Sequence, residues 1–147
     1  MGKKKITSNG LGMPGPTCLH QYVVGCIFKN YLMKYDGNHI LMGVSVNKKP
    51  EIIPDLSVWE EPVGQGKDPK NPLLIIEVTR TSRNDKYSDG SIRRAFEWVP
   101  SLQEAFIYNF TEEKWIRYRV EKEEVIKEEN KDFSKILSCH LSTLVKE

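Results

Sequence analysis

The apolar patterning of this chain predicts a mixed α/β layer fold with a central sheet flanked by helices. Three observations carry that prediction. A helical apolar spacing comes first; the most apolar run, residues 73–79, is short enough for a buried strand; and a second helical spacing separates it from further strand-like segments. With 147 residues, 39% of them apolar and 29% charged, the chain has ordinary globular usage and the length of one domain.

Residues 1–16 are basic and then rich in Ser, Asn, Gly and Pro, which reads as a flexible lead-in to a single domain over 17–147. Thr17 suits a helix N-cap, and Leu19, Tyr22, Val23, Cys26, Ile27 and Tyr31 recur at helical spacing to about Lys34. Tyr35-Asp36-Gly37-Asn38 is a turn. Ile40, Met42, Val44 and Val46 alternate with Leu41, Gly43 and Ser45, which predicts a strand; Asn47-Lys48-Lys49-Pro50 turns the chain into a second strand over 52–59. A Pro- and Gly-bearing loop, 60–71, leads to the buried strand over 73–79. Residues 80–88 read as a polar loop before a helix with Ile92, Ala95, Phe96 and Val99 on one face, stopped by Pro100. Residues 105–110 and 115–120 form a hairpin around Thr111-Glu112-Glu113-Lys114, and the tail from Glu121 is charged.

Several function classes recede on composition. No apolar run is long enough to span a bilayer, and Met1-Gly2-Lys3-Lys4-Lys5 lacks a secretory apolar stretch, so a cytoplasmic protein is expected. Cys18, Cys26 and Cys139 are an odd number and read as reduced thiols. Cys18-Leu19-His20 and Cys139-His140 fit no usual zinc spacing, and His20 reads as a packing or capping residue. Trp59, Trp98 and Trp115 read as core or core-edge aromatics. A net charge of +2 gives a weak overall field, which leaves nucleic-acid binding open.

The chemistry-bearing anomaly is acid within apolar strands. Asp55 interrupts Ile52-Ile53-Pro54-Asp55-Leu56-Ser57-Val58, and Glu77 follows four aliphatic residues. A buried carboxylate needs a cation, a base or a proton. Two on neighbouring strands make a hard-oxygen site for Mg²⁺ or Mn²⁺, to which the Val78 carbonyl could add a ligand. Each acid falls in the carboxyl-terminal half of its expected strand, and the alternative for either is an exposed strand end or an arginine partner such as Arg80.

Pro54-Asp55 followed by the strand carrying Glu77-Val78-Thr79 resembles the PD-(D/E)XK nuclease pattern. More narrowly, four stretches are similar to the bacterial Uma-type family of restriction endonucleases: His20 ahead of an amphipathic helix, Ile53-Pro54-Asp55-Leu56-Ser57-Val58, Pro72-Leu73-Leu74-Ile75-Ile76-Glu77-Val78, and Val99-Pro100-Ser101-Leu102-Gln103-Glu104. The resemblance covers roughly residues 17–145. It implies a restriction-endonuclease-like fold and a metal-dependent nuclease acting on DNA, with Asp55 and Glu77 holding Mg²⁺ or Mn²⁺. It also admits a homodimer, by analogy with nucleases that cut two strands.

The superfamily places a lysine two residues after the acid, where this chain has Thr79. In the narrower family that lysine commonly comes from the following helix, where Lys86 stands as first candidate and Arg93 as second. A helix extended back to Lys86 puts Lys86, Asp89, Arg93 and Glu97 on one flank. The family's Glu/Asp-Gly signature before the first helix has no clear counterpart here. Thr79 and that missing signature favour the alternative of a degenerate nuclease fold that binds nucleic acid or protein without cutting.

Overall fold

The structure is a computed structural model and describes residues 18–35 and 38–146, with the side chains of residues 82–87 outside that description. The expected lead-in over 1–16, the Thr17 cap and part of the turn at 35–38 therefore lie outside the described residues. In chain order the elements are α1 (Cys18–Lys34), β1 (Ile40–Met42), β2 (Asn47–Lys48), β3 (Glu51–Ile52), β4 (Leu56–Trp59), β5 (Pro72–Thr79), α2 (Ser82–Trp98), β6 (Glu104–Asn109), β7 (Lys114–Glu121), β8 (Glu124–Glu129), β9 (Phe133–Ser134), β10 (Cys139–His140) and a 3₁₀ turn at Leu141–Leu144.

The expected mixed architecture is present: a six-stranded sheet of order β1-β4-β5-β6-β7-β8, with α1 on one face and α2 on the other. Only β5 and β6 run parallel, joined by the crossover through α2; the other pairings within this sheet are antiparallel. Period-two alternation divides β5 between two cores. Leu74, Ile76 and Val78 pack with Val24, Ile27 and Tyr31 of α1 and with Leu141 and Leu144 of the 3₁₀ turn. Ile75 packs on the other face with Ile92, Ala95 and Val99 of α2.

Several details differ from the sequence expectations. The buried stripe of α1 is Val24, Ile27 and Tyr31, while Leu19 and Tyr22 are exposed, so the inward face is turned from the one expected. The strand expected over 40–46 ends at Met42, because Gly43 takes a left-handed φ of 59° and its N–H donates to the Asp55 carbonyl. The segment expected as polar loop over 80–88 is helical from Ser82, and the charged tail contains strand β8. The hairpin joining β7 to β8 turns on Lys122 and Glu123 at φ 52° and 65°, a left-handed pair that usually falls to Asn or Gly, so no turn signal marked it. Trp59 and Trp115 are buried as expected, whereas Trp98 is largely exposed.

Candidate functional site

The antiparallel pairing of β4 with β5 decides where the acids meet. Register sets Leu56 opposite Ile76, so Asp55, one residue before β4, falls beside Glu77, near the end of β5. The sequence reading put both acids in the carboxyl-terminal half of their strands. Two such positions on antiparallel neighbours would lie at opposite ends of the pair; Asp55 instead stands at the entry to β4, and the acids adjoin for that reason. Pro54 offers no N–H for a ladder, and Asp55 leaves the ladder there.

The local bonds interlock. The Asp55 N–H donates to Glu77 Oε1 at 3.2 Å, and the Val78 N–H donates to Asp55 Oδ2 at 2.7 Å. A strand residue directs its N–H and C=O to the same side, so Val78 turns its carbonyl toward Asp55 as well. From the α1 face His20 brings Nε2 to 3.3 Å from Asp55 Oδ2. The His20 pKa is raised by its hydrogen bond to Asp55, against the effect of burial, with the Asp55 charge and a hydrogen bond to the Val78 backbone adding to the rise. A contact that favours the protonated ring must be to an acceptor, which identifies the Val78 carbonyl.

Glu77 extends toward the opposite face. It lines a cavity of about 260 Å³ between β3, β5 and α2, together with Glu51, Ile52, Ile53, Ile75, Ser91, Ile92 and Arg94. Burial of the carboxyl, reinforced by the Asp55 charge, pushes the Glu77 pKa up to about 8, against the pull of the Asp55 N–H and of His20. Among the described residues the Asp55 N–H is its one hydrogen-bond donor, and no side-chain cation lies within ion-pair distance. A half-buried carboxylate with so little compensation has capacity for a cation.

The donor set suits a hard ion: two carboxylates and the Val78 carbonyl. Among the described residues no group of three or more His, Cys, Asp or Glu side chains gathers into a metal cage. Such a shell matches Mg²⁺ and Mn²⁺, which keep several waters and are held by one or two carboxylates together with a phosphate.

The structure thus brings together Asp55, Glu77 and Val78, and adds His20, which was read from sequence as packing or capping. Its signal was present: His20 extends the inward stripe of Val24, Ile27 and Tyr31 by one turn, so it too faces the core. Arg93 is not brought to the acids. The flank it shares with Asp89 faces β7 and β8, where Arg93 Nε donates to Asp89 Oδ2 at 3.0 Å, its guanidinium lies 5.8 Å from the centre of the Tyr118 ring, and Lys127 approaches Asp89. The α2 cation that lines the cavity is Arg94. Lys86 lies on α2, within the stretch whose side chains are outside the described residues. Thr79, at the position of the superfamily lysine, is buried and its carbonyl accepts the Phe110 N–H. The two half-motifs weighed for zinc are apart in function: His20 serves Asp55, His140 pairs with Asp132, and Cys139 accepts from Tyr35 Oη.

Among the described residues no helix is long and apolar enough to cross a membrane. No protein-family model matches the chain, and no curated protein sequence does.

Proposed function

We propose that this protein is a Mg²⁺- or Mn²⁺-dependent nuclease of restriction-endonuclease-like fold, hydrolysing DNA phosphodiester bonds at Asp55 and Glu77. The observation that carries the proposal is the Glu77 carboxyl: half-buried on a central strand, beside a second carboxylate, facing a cavity, and without a side-chain cation among the described residues. The mixed sheet with its α2 crossover supports the fold reading, because ligands of α/β sheets gather at the carboxyl ends of parallel strands, where Glu77 stands.

When bound, the cation supplies Lewis acidity toward a phosphate oxygen and an acidified water. The chain's own part is positional. Asp55 is fixed by the Val78 N–H and by His20, and Glu77 by the Asp55 N–H, so both carboxylates are oriented before a ligand arrives. His20 also sets a ring whose pKa is raised beside Asp55.

The second reading, a lapsed nuclease fold that binds nucleic acid and cuts nothing, is favoured by Thr79 at the lysine position and by Arg93 turned away from the acids.

Nicking of supercoiled plasmid in Mn²⁺, with Glu77→Ala as comparison, separates the two. Cleavage by the parent that disappears in the variant is the expected result. A thermal midpoint that rises with Mn²⁺ in the parent and not in Glu77→Ala, without nicking, selects the lapsed reading. A midpoint indifferent to Mn²⁺ in the parent removes the metal site and the nuclease together.

A further inference from the structure

Arg94 is the cationic residue on the α2 wall of the cavity. It lines the same cavity as Glu77 and Glu51, and no carboxylate among the described residues comes within ion-pair distance of its guanidinium. Its partner is neutral: Nη2 donates to Ser91 Oγ at 3.3 Å, one helical turn back on the same flank of α2. Gly90 keeps that side of the helix low, and a Cβ there would stand 3.5 Å from Arg94 Nη1. The neighbouring Arg93 shows the contrast, with its charge committed to Asp89 and its plane to Tyr118.

A cation that shares a cavity with two acids and pairs with neither is placed to meet an anion entering between them. The fork of a guanidinium matches two oxygens of a phosphate group, and a compact ammonium does not. We infer that Arg94 is the phosphate-binding residue of the Glu77 cavity, holding a phosphodiester from the α2 wall opposite the strand-borne carboxylates. The inference rests on the nuclease reading for the identity of the substrate. On Arg94 itself it rests on cavity geometry and the absence of an acidic partner among the described residues. It supplies from α2 a positive charge that neither Thr79 nor Arg93 brings to the acids.

The test measures binding of a fluorescently labelled 12-base-pair DNA duplex by anisotropy across a salt series, in Mn²⁺ and separately in EDTA, with the Mn²⁺ shift of the thermal midpoint recorded on the same proteins. Arg94→Ala is expected to keep the parent's Mn²⁺ shift, to weaken duplex binding, and to lower the slope of log affinity against log salt by about 1. Arg94→Lys is expected to restore the slope and only part of the affinity. A parent slope retained in Arg94→Ala overturns the inference while leaving the metal site intact. No duplex binding by the parent in either condition overturns it as well. A slope lowered in Arg94→Ala, with no Mn²⁺ shift in the parent, keeps Arg94 and removes the metal reading.

Discussion

Glu77 and Glu104 are both acids in apolar strands, on the two parallel neighbours β5 and β6, yet their surroundings are opposite. Glu104 opens β6, is 2% exposed and faces the α1 side of the sheet. Its carboxylate accepts from Arg117 Nε and Nη2, from Ser134 Oγ and from the N–H groups of Lys135 and Ile136. Arg117 in turn donates through Nη1 to Glu128 on β8. Glu77, three rungs further along the β5–β6 ladder and on the other face, has one backbone donor among the described residues. A buried acid that serves the fold arrives with its counter-charge and its donors; a half-buried acid at a cavity, left short of both, has capacity for something from outside. Their burial differs in the same sense, with Glu104 sealed in the interior and Glu77 half-buried at a cavity.

The comparison breaks most visibly at Glu104. Glu104→Ala leaves Arg117 without its inner partner and strands Ser134 and two backbone N–H groups, so a loss of about 3–5 kcal/mol in urea unfolding is expected. A loss below about 1 kcal/mol would mean that the network is ornamental and that the two glutamates are alike. Glu77→Gln is expected to act in the opposite direction. The folded pKa of Glu77 is raised to about 8, so its ionisation penalises the metal-free fold progressively as pH climbs from about 4.5 through 8. In EDTA the variant should match the parent near pH 4 and exceed it above pH 8, on the order of 1–3 kcal/mol. A variant that is less stable than the parent at pH 9 would show that Glu77 is as fully compensated as Glu104.

How much of this was legible in the sequence follows from how local each signal is. The central strand with Glu77 and the helix stop at Pro100 depend on neighbours within a few positions and stand where the pattern put them, whereas Asp55 stands just before β4 and not within a strand. The distinction between Glu77 and Glu104 was not legible, since Leu102-Gln103-Glu104-Ala105-Phe106 also carries an acid into an apolar strand. What neutralises Glu104 lies 13 residues away at Arg117 and 30 away at Ser134. The His20 contact spans 35 residues, and only the inward stripe of α1 hints at it. The choice between Arg93 and Arg94 turns on one 100° step of α2, so that adjacent residues face β7 on one side and the Glu77 cavity on the other.

Asp55 lies between the two glutamates in kind, compensated by one backbone N–H and by a partner whose charge depends on pH. The folded pKa of His20 is raised above its ordinary 6.5, chiefly by the Asp55 hydrogen bond. A raised histidine contributes stability that is complete below the unfolded pKa and fades as pH rises through the folded one. His20→Gln in EDTA should therefore cost about 0.5–1 kcal/mol at pH 5.5 and little at pH 9, the smallest of the three effects because both side chains keep some contact with water. Its slope has the same sign as that of Glu77→Gln, since each substitution gains relative to the parent as pH rises, but the end points differ: His20→Gln only recovers a loss, whereas Glu77→Gln becomes the more stable protein. A His20→Gln deficit that is the same at both pH values would assign His20 to packing beside Val24, as its place in the stripe alone suggests, and would leave Asp55 as short of positive charge as Glu77.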